Sequence, residues 1–445
     1  MMDKNQLLLY AITDCDHYQG KELLDRTEAI LANGATILQY RDKHSKARND
    51  VDALKALCKQ YGVPFIINDD VDLAIAVDAD GVHVGQDDEA AANARARLGA
   101  DKIVGVTAKT LEQAQKAVSD GADYLGVGAL FHSQSKDSSI TSRDTLKTIC
   151  AAVDIPVVGI GGVDENNAAI LAGTGISGIA VINALYMYGN PSLATKRLAS
   201  KIDIIVNGDQ HIDGILADVD GTLTDTLAFY QDLVPGYLRA HGYRPGGDLP
   251  VILSEKTMPE SVGYVKHNYS GTFGVGQVVD ELEAELEWYY HTEGQAKPGV
   301  KEFLALAKTR GIKVLATSIH DAEVCRTLFE HAGIEHDIDG IVSGWDKRLP
   351  GGDSKLFAMG VERFDGSNLW AFNDGIEGVF GAKGAGLKIA AIYDENHSEK
   401  EWNHIIKNAD VAFMNWQEAV DWLKLLQVVY ETFFVLQRTA DKKHK

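Results

Sequence analysis

Two aspartates two residues apart, Asp218 and Asp220, close an apolar run in GILADVDGTLTDT (residues 214–226). In an extended chain residues i and i+2 share one side. Two carboxylates so placed repel unless a cation or a shared proton compensates. Gly221 and Thr222 would let the chain turn at once. Downstream, KVLATS (313–318) ends in Thr317 and Ser318, hydroxyls suited to a phosphate oxygen. NLWAFNDGIEG (368–378) ends a run in Asp374, and Lys347 and Lys355 precede the helical pattern LFAMGVERF. Singly these have plain readings: an Asx turn after a strand, Thr317 as a helix N-cap, Lys355 as a solvated first-turn residue.

A second set lies in the first half, where polar residues follow one apolar run after another. They are Asp14; Gln39, Arg41 and Lys43; Asn68 and Asp69; His83, Gln86 and Asp88; Thr107 and Lys109; Ser133, Ser135 and Lys136; Gly161 and Gly162; and Asn183. Asp69 and Asp88 follow successive runs and could share one hard cation. Mg²⁺ takes one or two protein carboxylates plus phosphate oxygens. Arg41, Lys43 and Lys136 could neutralise phosphates, and GIGG (159–162) offers backbone amides. No Ser–His–Asp set is present. The set is suited to positioning and neutralising a diphosphate.

The elements that must position the second set are legible as alternation. Apolar runs at 7–14, 36–42, 64–69, 81–86, 102–108, 124–130, 156–162 and 178–185 are separated by helical patterns that stop at Gly. Strands buried on both faces read as continuous apolar runs. Eight such units in about 200 residues predict a (β/α)8 barrel, whose active-site face is the C-terminal end of its strands; a doubly wound sheet is the alternative. Beyond a joint near 201–212, a second α/β domain is expected, with a mainly helical insertion between Thr226 and Lys297. The boundaries read as 1–205, 206–430 with a cap at about 227–297, and a C-terminal helix with a basic tail at 431–445. Caps exclude water and carry specificity.

The first half resembles thiamine-phosphate synthase in YAITD, QYRDK, INDDVDLA, DGVHVGQDD, GADYLGVGALFHSQSK, VVGIGGV and AVIN, in that order and spacing. The resemblance implies a TIM barrel that joins hydroxymethylpyrimidine diphosphate to hydroxyethylthiazole phosphate, giving thiamine phosphate and pyrophosphate. It implies Mg²⁺ at Asp69 and Asp88. Gln39, Arg41, Lys43, Asn68, Thr107 and Lys136 would hold the diphosphate or pyrimidine end. Ser133, Ser135, Gly161, Ile182 and Asn183 would hold the thiazole phosphate. Lys109 stands where a histidine is common and Asn183 where a serine is common.

The second half resembles the haloacid dehalogenase superfamily, in particular its phosphoglucomutase-like phosphatases. That implies a Rossmann-like core with Asp218 as nucleophile, Asp220 as general acid/base, and Thr317 on the transferring phosphoryl group. Mg²⁺ would sit on Asp218, the Asp220 carbonyl and Asp374. Lys355 is favoured over Lys347 as the phosphate-binding lysine. Thiamine phosphate is the expected phosphatase substrate. A sugar-phosphate mutase, a phosphatase unrelated to thiamine, and a barrel that only binds remain open alternatives.

Composition bounds the rest. The chain has 445 residues, 45% hydrophobic and 24% charged, with a formal net charge of −21. Such an acidic chain is a poor partner for nucleic acid or an anionic membrane. The expected partners are small-molecule phosphates, with a homo-oligomer left open. Four cysteines form no CxxC pair, and no apolar run is long enough for a membrane span, so a cytoplasmic enzyme is expected.

Overall fold

The computed structural model describes residues 2–43, 48–86, 90–132, 139–208, 211–253, 256–427 and 429. Asp88, Ser133, Ser135 and Lys136 lie outside the described residues, as does the expected basic tail. The chain forms two compact units, one over residues 1–210 and one over 211–424, with the last described residues grouping with the first.

The first unit is a closed barrel of eight strands in chain order: β1 (Leu9–Ile12), β2 (Ile37–Tyr40), β3 (Phe65–Asn68), β4 (Gly81–Val84), β5 (Ile103–Ala108), β6 (Tyr124–Val127), β7 (Val157–Ile160) and β8 (Gly178–Val181). All neighbours pair in parallel, and β1 closes on β8 through Leu9↔Ile179 and Tyr10↔Ala180. The strands are shorter than the apolar runs that predict them. The ends of those runs turn out of the ladder and become the loops of the C-terminal face. Crossover helices bury one stripe each: Gly20–Ala32 turns Leu23, Thr27, Ile30 and Leu31 inward, at the spacing of a single helix face. Side-chain caps at Thr110, Ser142 and Asn190 start three later helices. The seventh crossover departs from the pattern, because a single 3-10 turn, Ala168–Leu171, replaces a full helix before Gly173 and Gly175.

The barrel interior is packed by Leu7, Tyr10, Ile12, Ile37, Ile66, Tyr124, Val158 and Ala180. Tyr124 pairs in register with Gly105 of β5. A Cβ on Gly105 would fall 2.1 Å from the Tyr124 ring, so the glycine is the space that the ring occupies.

The second unit is a six-stranded parallel sheet in the order β11-β10-β9-β12-β13-β14. Its strands are β9 (Gly214–Asp218), β10 (Lys313–Ser318), β11 (Gly340–Ser343), β12 (Leu369–Asn373), β13 (Lys388–Ile392) and β14 (Val411–Phe413). The chain order reverses at β9, and in open α/β sheets ligands bind at the carboxyl ends beside such a switch. Helices Leu227–Ala240, Leu249–Leu253, Met258–Asn268 and Val275–Thr292 are inserted after β9. The two connections to this insertion are tied together: Asp225 N donates to Gln295 O and Lys297 N to Leu223 O.

The Gly105–Tyr124 fit gives a direct test. Gly105→Ala should cost about 2–3 kcal/mol, the penalty of overpacking a filled core. It should appear as an earlier urea midpoint for the barrel transition. An unchanged midpoint would mean that the ring moves aside freely.

Candidate active sites

On the barrel, the expected residues that are described stand at strand ends. Gln39 is the third residue of β2 and is buried, while Arg41 and Lys43 follow it outward to the rim. Thr13, at the end of β1, braces this corner. Its hydroxyl donates to Arg41 O and accepts from Arg41 N at 2.8 Å. Arg41 lies 4.0 Å from the Asp16 carboxylate. Asn68 ends β3, and its side-chain amide donates to Asp69 Oδ2 at 2.5 Å. Asp69 is exposed and holds φ +61°, a left-handed conformation uncommon for a non-glycine residue. Its N–H donates to His83 O at 2.8 Å, which ties the β3 end to β4. Such backbone outliers persist where surrounding contacts over-determine them, and they cluster at functional sites.

After β7, Gly161 and Gly162 both have positive φ, and a Cβ on either would strike the backbone of residues 129–132. The loops after β6 and β7 are in fact paired, with Leu130 N donating to Ile160 O and Phe131 N to Gly161 O. Ile182 and Asn183 open a short helix, Asn183–Tyr186, directly after β8. The β7 and β8 loops thus lie side by side, where barrels commonly bind phosphate.

In the second unit, Asp218 and Thr317 pair in register at the ends of β9 and β10, and Asn373 and Asp374 follow on β12. A cavity of about 460 Å³ opens over these ends. Its floor includes Asp218, Asp220, Ser318 and Asp374, and its roof includes Tyr230 and Met258 of the helical insertion. Thr222 Oγ1 donates to Asp374 Oδ1 at 2.6 Å, and His397 Nε2 lies 3.2 Å from Asp374 Oδ2. Asp220 Oδ1 accepts from the Thr226 hydroxyl at 2.5 Å and from the Tyr290 hydroxyl, while Oδ2 faces His320 Nε2 at 3.3 Å.

This arrangement separates two neighbouring carboxylates. Burial, then the charges of Asp374 and Asp220, raise the Asp218 carboxyl well above the ordinary range. Burial pushes Asp220 the same way, but the bond and charge of His320 and the two hydroxyl donors outweigh it, and Asp220 is held below its ordinary value. For His397, burial alone would lower the imidazole, but the bond and charge of Asp374 outweigh it and raise it. In the cation-free fold these directions are the reverse of what an Asp218 nucleophile and an Asp220 acid need, so both roles depend on charge brought in with the ligand. Thr317 Oγ1 is fully buried with no hydrogen-bond partner among the described residues. A buried hydroxyl left unpaired costs free energy that a phosphate oxygen would recover.

The lysine does not fall where the sequence reading placed it. Lys355 is exposed in the first turn of helix Ser354–Val361, and Lys347 is exposed too; neither is among the described residues that line the cavity. A half-buried lysine nearby is Lys297, whose Nζ donates to Asp394 Oδ2 at 2.6 Å and to Gly221 O. Sequence reasoning also missed His320, Tyr290 and His397. His320 was findable, two residues past the hydroxyls that end β10. Tyr290 and His397 stand far from any strand-end motif.

Among the described residues no cluster of three or more His, Cys, Asp or Glu side chains is gathered as a metal nest. The second site nevertheless fits a hard divalent cation. Asp218 and Asp374 repel each other in a buried place, and two carboxylates with a carbonyl leave the remaining positions to water and phosphate oxygens. At the barrel, Asp69 is the only described member of the expected pair.

Fold and site together define a two-unit α/β protein with two polar strand-end rims, one on a barrel and one on an open sheet. A family model for thiamine monophosphate synthase matches residues 9–185, and one for haloacid dehalogenase-like hydrolases matches 212–386. The chain is 43% identical over 198 residues to a thiamine-phosphate synthase of Alkaliphilus oremlandii, covering 44% of this chain and 95% of that protein. It is 46% identical over 190 residues to one from Clostridium tetani, covering 42% and 91%. A solved thiamine phosphate pyrophosphorylase of Pyrococcus furiosus is 34% identical, covering 46% and 98%, with a TM-score of 0.42. The chain belongs to the thiamine-phosphate synthase family through its first half and carries a haloacid dehalogenase-like hydrolase domain in its second.

The raised Asp218 carboxyl predicts a stability effect with a definite sign. The folded state disfavours the ionised form, so its penalty is absent below the ordinary carboxylate pKa and grows as pH rises through it. Asp218→Asn should stabilise the Mg²⁺-free protein at pH 7 by about 1–2 kcal/mol, with the gain vanishing near pH ~4. Urea unfolding at the two pH values reads this directly. A variant less stable than wild type at pH 7 would remove the repulsion from the account.

Proposed function

We propose that this chain makes thiamine phosphate in its first unit and hydrolyses a phosphate monoester in its second, with thiamine phosphate itself as the substrate of that hydrolysis. The observation that carries the first half is the extent of similarity to the synthases, over nearly their full length. The observation that carries the second is the orphaned Thr317 hydroxyl in register beside Asp218.

In the barrel, Arg41 and Lys43 would neutralise the pyrimidine diphosphate, while Gln39, Asn68 and Thr107 hold its pyrimidine end. The C–O bond to the diphosphate breaks, pyrophosphate leaves, and the thiazole nitrogen captures the pyrimidine carbon. The loops after β7 and β8, with Gly161, Ile182 and Asn183, would hold the thiazole phosphate. Mg²⁺ on Asp69, with Asp88, would supply counter-charge to the departing pyrophosphate.

In the second unit, an Asp218 oxygen would attack phosphorus while Thr317 holds a non-bridging oxygen. The ester oxygen departs and takes a proton from Asp220, which must enter this step protonated although the empty site favours its ionised form. Water then attacks the phospho-aspartate, Asp220 accepts its proton, and inorganic phosphate leaves. Mg²⁺ on Asp218, the Asp220 carbonyl and Asp374 would neutralise charge on the transferring group. Thiamine phosphate is favoured because it is the ester that the same chain produces. Its cationic thiazolium also suits a cavity whose lining includes Glu377 and Glu401.

Two variants separate the activities. Asp218→Asn should reduce phosphate release by about three orders of magnitude, or about 4 kcal/mol of barrier, and leave thiamine phosphate formation nearly unchanged. Asp69→Ala should raise the Mg²⁺ requirement of synthesis and spare phosphate release. Parallel loss of both activities in either variant would defeat the two-site reading. For the substrate, kcat/KM for thiamine phosphate should exceed that for sugar phosphates and nucleotides; a value well below an unrelated ester would exclude the coupled hydrolysis.

A further inference from the structure

Five side chains cross the floor of the barrel in one unbroken series of hydrogen bonds. Gln39 Nε2 donates to Tyr10 Oη at 3.0 Å. Tyr10 Oη and Tyr124 Oη are 2.8 Å apart. His83 Nδ1 is 3.0 Å from Tyr124 Oη, and His83 Nε2 is 2.9 Å from Thr107 Oγ1. The series joins β2, β1, β6, β4 and β5, and its two ends are residues assigned above to the pyrimidine substrate. Tyr10 and Tyr124 are fully buried, and glycines on β5 and β6 make room for the rings. Gly105 accommodates the Tyr124 ring, and a Cβ on Gly126 would come within 3.1 Å of the His83 ring. Buried polar atoms placed this closely cost free energy unless every donor finds an acceptor.

The Gln39 amide, with its nitrogen toward Tyr10, gives the series a direction. An amide nitrogen can only donate, so Tyr10 Oη accepts from Gln39. Tyr10 has one hydrogen of its own, and the partner in reach is Tyr124 Oη. Tyr124, having accepted, passes its single hydrogen to His83 Nδ1. Burial raises both phenols, so both hydroxyls keep the hydrogens that this count needs. With Nδ1 accepting, a neutral His83 carries its hydrogen on Nε2 and donates it to Thr107 Oγ1. Thr107 then has its own hydrogen left to offer, and Gln39 has its carbonyl oxygen.

We propose that the Gln39–Tyr10–Tyr124–His83–Thr107 series is a one-way relay that fixes the polarity of substrate recognition, presenting an acceptor at Gln39 and a donor at Thr107. The proposal rests on the synthase reading for what these two ends face. Tyr10, Tyr124 and His83 act as positioning residues. The two ends are coupled: reversing the Gln39 amide would reverse every bond to Thr107. A heterocycle that carries an amino donor and a ring-nitrogen acceptor matches the polarity presented. A ligand with the opposite pattern would have to turn the whole relay over.

The whole protein labelled with 15N-histidine tests this without recourse to activity. Long-range ¹H–¹⁵N spectra at neutral pH, with His83 assigned by its loss in His83→Gln, should show a neutral ring protonated at Nε2 and bare at Nδ1. A ring protonated at Nδ1, or a doubly protonated ring, overturns the relay. In steady-state synthesis, Tyr124→Phe should raise KM for the pyrimidine diphosphate about tenfold, leaving kcat and KM for the thiazole phosphate within about twofold. Tyr10→Phe should match it, and the double variant should add little, because one break already interrupts the series. Additive losses, or equal rises in both KM values, would reduce the tyrosines to packing. A wild type with the Nε2-protonated ring and no synthase activity would instead remove the synthase reading and leave the relay standing.

Discussion

Parallel strand pairing is the constraint on which both sites depend. When every strand runs the same way, every carboxyl end opens on one rim, and each crossover returns the chain to the opposite rim. Residues far apart in sequence are then gathered without any local signal. In the barrel this places Gln39, Asn68, Thr107, Gly161 and Asn183 at or just beyond the ends of five strands. In the open sheet it sets Thr317 opposite Asp218 and puts Asp374 one residue beyond the end of the next strand. Neither site needs a long binding segment, because the sheet supplies the registration.

Registration alone would give an unfavourable cluster, and each site relieves it differently. The hydrolase domain keeps its polar groups in a state that suits a ligand better than the empty fold. Thr317 lacks a partner, Asp218 is held against its ionised form, and Asp220 is gripped by three neighbours. That is preorganisation in the sense of electrostatic catalysis, where groups are fixed before charge develops. The barrel floor takes the opposite course. Its tyrosines, histidine and terminal side chains satisfy one another, so the groups that remain are few and have a defined polarity.

Much of this was legible in the chain. Eight apolar runs with polar endings fixed the barrel, and DxDGT with later strand ends located the second site. What the sequence withheld follows from physics that spacing does not encode. Lys355, which the resemblance favoured as the phosphate-binding lysine, lies exposed in the first turn of its helix. Tyr10 and Tyr124 sit inside aliphatic strands and read there as bulk. The Tyr124 hydroxyl reaches its partners only because Gly105, on the neighbouring strand, leaves room for the ring. Tyr290 reaches Asp220 from 70 residues away, a contact made by the helical insertion and by no motif. Short crossovers, such as the single turn before β8, escape periodicity because one turn has no period.

The acidic chain and the anionic ligands proposed for it pose a last question of magnitude. A net charge of −21 should repel diphosphates and monophosphates. At physiological ionic strength, however, screening confines each exposed charge to about 8 Å. A ligand at a rim therefore responds to the groups within a few contacts of it. At the barrel these include Arg41 and Lys43 and the loops that carry Gly161 and Gly162. At the sheet the near field is itself acidic, with Asp218, Asp220, Asp374, Glu377 and Glu401 around one cavity. Thr317 offers one hydroxyl, far short of the charge of a phosphate dianion. The described carboxylates of the second site therefore leave more negative charge for a bound cation to offset than those of the first.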